Sequence, residues 1–78
     1  MGEQRRKTIR EWRAYKKWSK AETAKRLGVN PMTYAKFEDE PYKIRLGDAV
    51  KLAKVFGCNL SEIIFFEDNP NIKFEDVV

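Results

Sequence analysis

Few of the groups that carry proton-transfer or covalent chemistry are present in this chain. It has no histidine and one cysteine, Cys58, so the usual general base is missing and neither an intramolecular disulfide nor a zinc finger can be assembled. Cys58 reads as a buried structural thiol. The carboxylates Glu38, Asp39 and Glu40 adjoin one another with no nucleophile or metal partner beside them, and there is no Gly-rich phosphate loop. They read as a helix end running into a solvated loop. No enzyme, metal site or cofactor is expected. What the residues do offer is anion recognition. Residues 1–36 hold 11 Lys or Arg against 3 Asp or Glu, and residues 37–78 hold 5 against 9. The first part therefore carries +8 and the second −4, within an overall +4. Such asymmetry is an electrostatic footprint for a polyanion, because neutralising phosphates releases condensed counterions. The plainer alternative is a solvated basic face.

The elements that must hold those charges are legible between Ser19 and Glu38, SKAETAKRLGVNPMTYAKFE. Ser19 is a preferred N-cap, and Glu22 stands three residues later to close a capping box. A helix starting there is stopped by Gly28, which takes the left-handed conformation of a C-cap without opposition from a side chain. Asn30 then caps a second helix, with Pro31 at its first position, where the missing amide costs nothing. Two helices joined this closely must cross steeply, with Ala24 as the small residue at the crossing. Tyr34 and Phe37 face inward with Val29, while Pro31, Met32, Ala35 and Lys36 fall on the outer side. A mostly exposed second helix of such a pair is what a recognition helix looks like. An ordinary helical hairpin is the alternative that the local pattern leaves open.

The flanking segments add three further helices. TIREWRAYKKW predicts a first helix capped by Thr8, with Ile9, Trp12 and Tyr15 on its apolar stripe; Trp12 and Trp18 read as packing residues. DEPYKIR reads as a loop. LGDAVKLAKVFG predicts a helix whose apolar face is Leu46, Ala49, Val50, Ala53 and Phe56, ended by Gly57. Asn59 with Glu62 repeats the capping signature and predicts a short fifth helix through Ile63 and Ile64 to about residue 66. The result is one all-α domain over residues 8–66, with a basic N-terminal arm at 1–7 and a tail at 67–78. The tail is either frayed or a short strand that pairs with a partner. No apolar run approaches the roughly 18 residues needed to span a bilayer, and no signal-peptide core follows the basic start. A soluble cytoplasmic protein is expected, associated with the nucleoid if its anion is DNA.

In this order the motifs resemble the phage repressor and Cro family of helix-turn-helix proteins, also called the Xre or lambda repressor-like family. The likeness covers residues 8–65: IREWR, then S-x-x-E-x-A, LGVN, T-Y-x-x-F-E and AVKLAKVFGCNLSEI. It implies a compact five-helix domain that binds double-stranded DNA. It also implies an internal ion pair between Arg13 and Glu38, tying the first helix to the end of the recognition helix. By the same carry-over, Pro31, Met32, Ala35 and Lys36 form the base-reading face, with Lys36 the best candidate for a guanine contact and Met32 suited to a thymine methyl. Ser19, Lys20, Asn30 and Thr33 stand where phosphates are touched. Lys20 replaces the family's usual glutamine, and Thr23 its usual leucine. Arg5, Arg6 and Lys7 form an arm for the DNA backbone or minor groove, and Lys43 and Arg45 can reach phosphates.

Two functions follow from different uses of this surface. One is a transcriptional regulator, Cro- or repressor-like and of phage, prophage or chromosomal origin, acting as a homodimer on a palindromic operator. The other is an antirepressor or modulator whose apolar outer face, Pro31, Met32 and Ala35, binds another repressor. Phe65 and Phe66 are the candidate dimer surface, which Ile72 or Phe74 in the tail could extend; closing the domain's own core is their other use.

Overall fold

Each helix begins and ends where the chain supplies the local chemistry for it. The computed structural model describes residues 5–66 and contains four α-helices: α1 (Ile9–Lys16), α2 (Lys20–Leu27), α3 (Pro31–Asp39) and α4 (Leu46–Phe56). Thr8 starts α1 with a complete capping box: its hydroxyl accepts from the Glu11 amide at 3.1 Å, and its own amide donates to the Glu11 carboxylate at 2.9 Å. Ser19 accepts from the Glu22 amide at 3.0 Å and Asn30 from the Met32 amide at 2.8 Å. The box expected at Ser19 is half made, since the Glu22 carboxylate turns outward to Arg26 at 2.8 Å. An i,i+4 partner on the solvent side competes for it. Gly28 and Gly57 end α2 and α4 with φ of 75° and 72°, and Lys17 ends α1 with φ of 63°.

The fifth helix is a correction. Asn59 and Glu62 do make a cap, the Asn59 amide donating to the Glu62 carboxylate at 2.9 Å, but it opens a single 3-10 turn, Leu60–Glu62. The chain then extends as a strand, β2 (Ile63–Ile64), which pairs in parallel with β1 (Lys7–Thr8), Lys7 opposite Ile63 and Thr8 opposite Ile64. The β-branched pair Ile63–Ile64 prefers extended backbone, and a partner strand is at hand. The domain is thus mostly helical, with four helices and a two-residue parallel ladder closing its ends. Phe65 and Phe66 follow that ladder and are not helical.

The core is built from all four helices and β2: Ile9 and Trp12 of α1, Ala24 and Leu27 of α2, Tyr34 of α3, Leu52, Ala53 and Phe56 of α4, and Ile63 of β2. Trp12 and Trp18 both stack on Phe56 at 6.1 Å between centroids, and the Trp12 indole donates to the Glu62 carbonyl at 2.9 Å. Cys58 packs half-buried against this core. Burial pushes its thiol above the ordinary range, with the charge of Glu62 acting the same way. The buried face of α4 is Ala49, Leu52, Ala53 and Phe56; Leu46 and Val50, expected inside, are exposed, as is Tyr15 of α1. Leu46 is the first residue of its helix, so the core does not reach it. Residues 67–78, where Ile72 and Phe74 were expected to extend an interface, lie outside the described residues.

Candidate nucleic-acid interface

A buried polar cluster fixes how α2 and α3 stand relative to α1. Glu38, 6% exposed at the end of α3, accepts from Arg13 Nε at 2.5 Å and from the Tyr34 hydroxyl at 2.5 Å on the same oxygen, Oε2. Arg13 Nη2 lies 3.4 Å from Oε1, and Arg10 Nε 3.5 Å from the same atom. The remaining donor of Arg13, Nη1, reaches the Trp18 carbonyl at 3.1 Å, in the turn just before α2. One guanidinium therefore grips the end of α3 and the start of α2 together. Burial alone would raise the Glu38 carboxyl. The hydrogen bonds from Arg13 and Tyr34, with the charges of Arg13 and Lys20, outweigh it and hold Glu38 below the ordinary carboxylate range. Arg13 is raised above its usual value by its bond to Glu38, against the opposing effect of burial. Tyr34 is pushed well above the usual phenol range by burial first and by Glu38 second.

Two further contacts set the crossing of α2 and α3. Thr23, fully buried in α2, donates its hydroxyl to the Ser19 carbonyl at 2.8 Å, so the polar group standing where the family usually has leucine is satisfied within its own helix. Ala24 is fully buried as well, and the turn after it is held by Val29 and Gly28 amides donating to the Ala24 and Lys25 carbonyls at 3.0 and 3.1 Å. Tyr34 and Phe37 pack edge to face at 6.4 Å on the inner side of α3.

The outer side of α3 is open. Pro31, Met32, Thr33 and Lys36 are exposed and Ala35 is half-buried, with Met32 reaching 75% exposure. Ser19 and Lys20 are exposed at the start of α2, and Asn30 at the start of α3. Lys36, Lys43 and Arg45 share a groove of about 220 Å³ with Thr33, Phe37 and Ile44. Glu40, 3.5 Å from Lys43, and Asp48 line the same groove. The arrangement is an apolar strip of α3, Pro31 and Met32, with Lys36, Lys43 and Arg45 along one flank, which suits a phosphate-flanked groove wall.

The basic arm expected at residues 1–7 is not free at its C-terminal end. Lys7 belongs to β1, and its ammonium lies over the rings of Trp12 and Tyr15 at 4.6 and 4.7 Å from their centroids. Arg5 Nε stands 3.4 Å from Glu62, leaving Arg6 exposed between them. Nothing in the local sequence signals these long-range contacts. The Tyr34–Glu38 bond was within reach of sequence reading, because residues four apart on a helix meet.

Comparison with known proteins agrees with this geometry. A helix-turn-helix family model matches residues 9–63. An uncharacterized HTH-type transcriptional regulator of Methanocaldococcus jannaschii is 33% identical over 61 residues, covering 78% of this chain and 92% of that protein. No solved structure matches the chain significantly. With α2 and α3 crossing at a tight glycine turn, and with the family match running from α1 to β2, this chain belongs to the Xre/Cro-like helix-turn-helix family.

Proposed function

We propose that this protein is a sequence-specific transcriptional regulator, small and Cro- or repressor-like, that binds a palindromic operator as a homodimer. The observation that carries the reading is the exposed outer face of α3, from Pro31 to Lys36, which lies in the part of the chain that carries +8 and has Lys36, Lys43 and Arg45 along one groove beside it. On duplex DNA, α3 lies in the major groove with Pro31, Met32, Ala35 and Lys36 toward the bases. Lys36 donates to a guanine edge, and Met32 packs on a thymine methyl. Ser19, Lys20, Asn30 and Thr33 contact phosphates on one side, and Lys43 and Arg45 on the other, with Arg5 and Arg6 near the adjoining backbone. Two copies paired through Phe65 and Phe66 set their recognition helices about 34 Å apart, one turn of the duplex.

The exposure of Met32 beside Pro31 favours a second use of the same face, in which it binds another repressor and blocks that protein's DNA site. Selection of bound sequences from a randomised duplex pool at near-physiological salt separates the two. Enrichment of an inverted repeat is the expected result, with binding to it lost in Lys36→Glu. Retention of no duplex by the folded protein assigns the face to a protein partner.

A further inference from the structure

Arg10 of α1 stands apart from the other donors around Glu38. Arg13 is fully committed, with Nε and Nη2 on the Glu38 carboxylate and Nη1 on the Trp18 carbonyl at 3.1 Å. Tyr34 completes the carboxylate from within the core. Arg10 lies 3.5 Å from Glu38 Oε1 and 3.9 Å from Asp39 Oδ1, distances of ion pairing rather than hydrogen bonding, and its side chain is 62% exposed. Exposed pairs of this kind are worth little, so the guanidinium can turn to another anion at small cost.

Asp39 shows which way that guanidinium faces. It is the last residue of α3, three after Lys36 and four after Ala35, so it continues the stripe that Met32, Ala35 and Lys36 begin. Its side chain is 68% exposed. A carboxylate in that place repels the phosphates of a duplex lying against the stripe, and the cation beside it comes from another helix. Lys20 of α2 belongs to the same neighbourhood, since its charge helps to keep Glu38 ionised. Two helices thus bring cations to the C-terminal end of α3.

We propose that Arg10 binds a DNA phosphate, which extends the contact surface from the helix-turn-helix onto α1. In the unbound protein its charge screens Asp39. On the duplex its planar fork of N–H groups donates to phosphate oxygens. The inference rests on the DNA-binding reading and needs neither the dimer nor a palindrome.

Salt dependence tests it on a duplex of random sequence, where the phosphates supply the affinity. Each phosphate contact adds about 0.9 to the steepness with which log affinity falls against log salt concentration. Arg10→Gln should lower the steepness by about 0.9 for each protomer bound, and Arg10→Lys should retain it. Glu38 keeps Arg13 and Tyr34 as donors in Arg10→Gln, so the variant folds. Lys51→Gln, an equal loss of charge at an exposed position of α4, should leave the steepness unchanged. In an Asp39→Asn background, Arg10→Gln should produce the same drop; no drop there would overturn the proposal by reducing Arg10 to a screen for Asp39. An affinity lowered equally at every salt concentration would overturn it by giving Arg10 a structural role alone. An equal drop in Lys51→Gln would overturn it too, by tracing the effect to net charge. A folded wild-type chain that binds no duplex removes the DNA-binding reading itself, whereas wild-type steepness that Arg10→Gln leaves intact removes this inference only.

Discussion

At the scale of the residue, Glu38 is the most consequential side chain in the molecule. It carries a buried negative charge that three donors share, and one of those donors, Arg13, also holds the start of α2. A buried pair of this kind specifies an arrangement more than it adds net stability, but removing one member leaves the other uncompensated at a cost of about 3–5 kcal/mol. Arg13→Leu should lower stability by about 3 kcal/mol in denaturant unfolding, and its loss of DNA binding should exceed what the unfolded fraction explains, because Ser19 and Lys20 lose their anchor. The pH dependence has a fixed sign. Glu38 is held below its unfolded value, so its contribution is complete above the ordinary carboxylate range and falls away as pH drops through the folded-state value. Unfolding free energy should therefore fall steeply below about pH 4 in the wild type, and Glu38→Gln should flatten that slope. The pairing of Arg13 with Glu38 was readable from the family resemblance; that Tyr34 and Arg10 complete it depends on packing that sequence spacing only partly encodes.

Elements show where local sequence suffices and where it does not. The caps of α1, α2 and α3 and the glycine stops of α2 and α4 are written in local sequence, so Thr8, Ser19, Gly28, Asn30 and Gly57 were all legible. The two left-handed ends that differ in residue type make a matched test. An added Cβ at Gly28 meets nothing within 4 Å, so Gly28→Ala pays only the backbone term and should cost about 1 kcal/mol. Lys17 adopts nearly the same conformation with a side chain present, so Lys17→Gly should raise stability by up to about 1 kcal/mol. Thermal unfolding of the two single variants decides both. The fifth helix was misread for a reason of range. Asn59 and Glu62 carry an authentic capping signature, but whether a turn continues as helix or opens into strand was decided by Lys7 and Thr8, more than fifty residues away. Leu46 and Val50 were misplaced because helical periodicity assigns a face without saying how far along the helix the core extends.

On the scale of the whole molecule, charge and apolar surface are segregated, and the segregation is what the proposed function uses. Lys36, Lys43 and Arg45 stand with Glu40 and Asp48 along one groove beside α3, while Leu46, Leu60 and Phe66 line another. Ile44 lines both the groove that holds Lys43 and Arg45 and a second one, of about 290 Å³, walled by Tyr42, Leu46, Leu60, Phe65 and Phe66. Phe66→Asp should abolish dimers without unfolding the chain; a solution mass identical to that of the wild type would refute the interface. The charge asymmetry that suggests nucleic acid was visible from composition. The groove beside Phe66 was not, because its walls come from three separate stretches of chain.

The parallel ladder has one more effect, which concerns force. The chain enters at the start of β1 and leaves at the end of β2, and the two strands run in the same direction. A pull applied through the two ends of the domain therefore drags the strands past each other along their length. Their hydrogen bonds are loaded together rather than one after another, and the Trp12 indole bond to Glu62 stands beside them. Tension on the flanking chain is taken by these few residues before it reaches α2 and α3, so the helix-turn-helix is mechanically shielded for as long as the ladder holds.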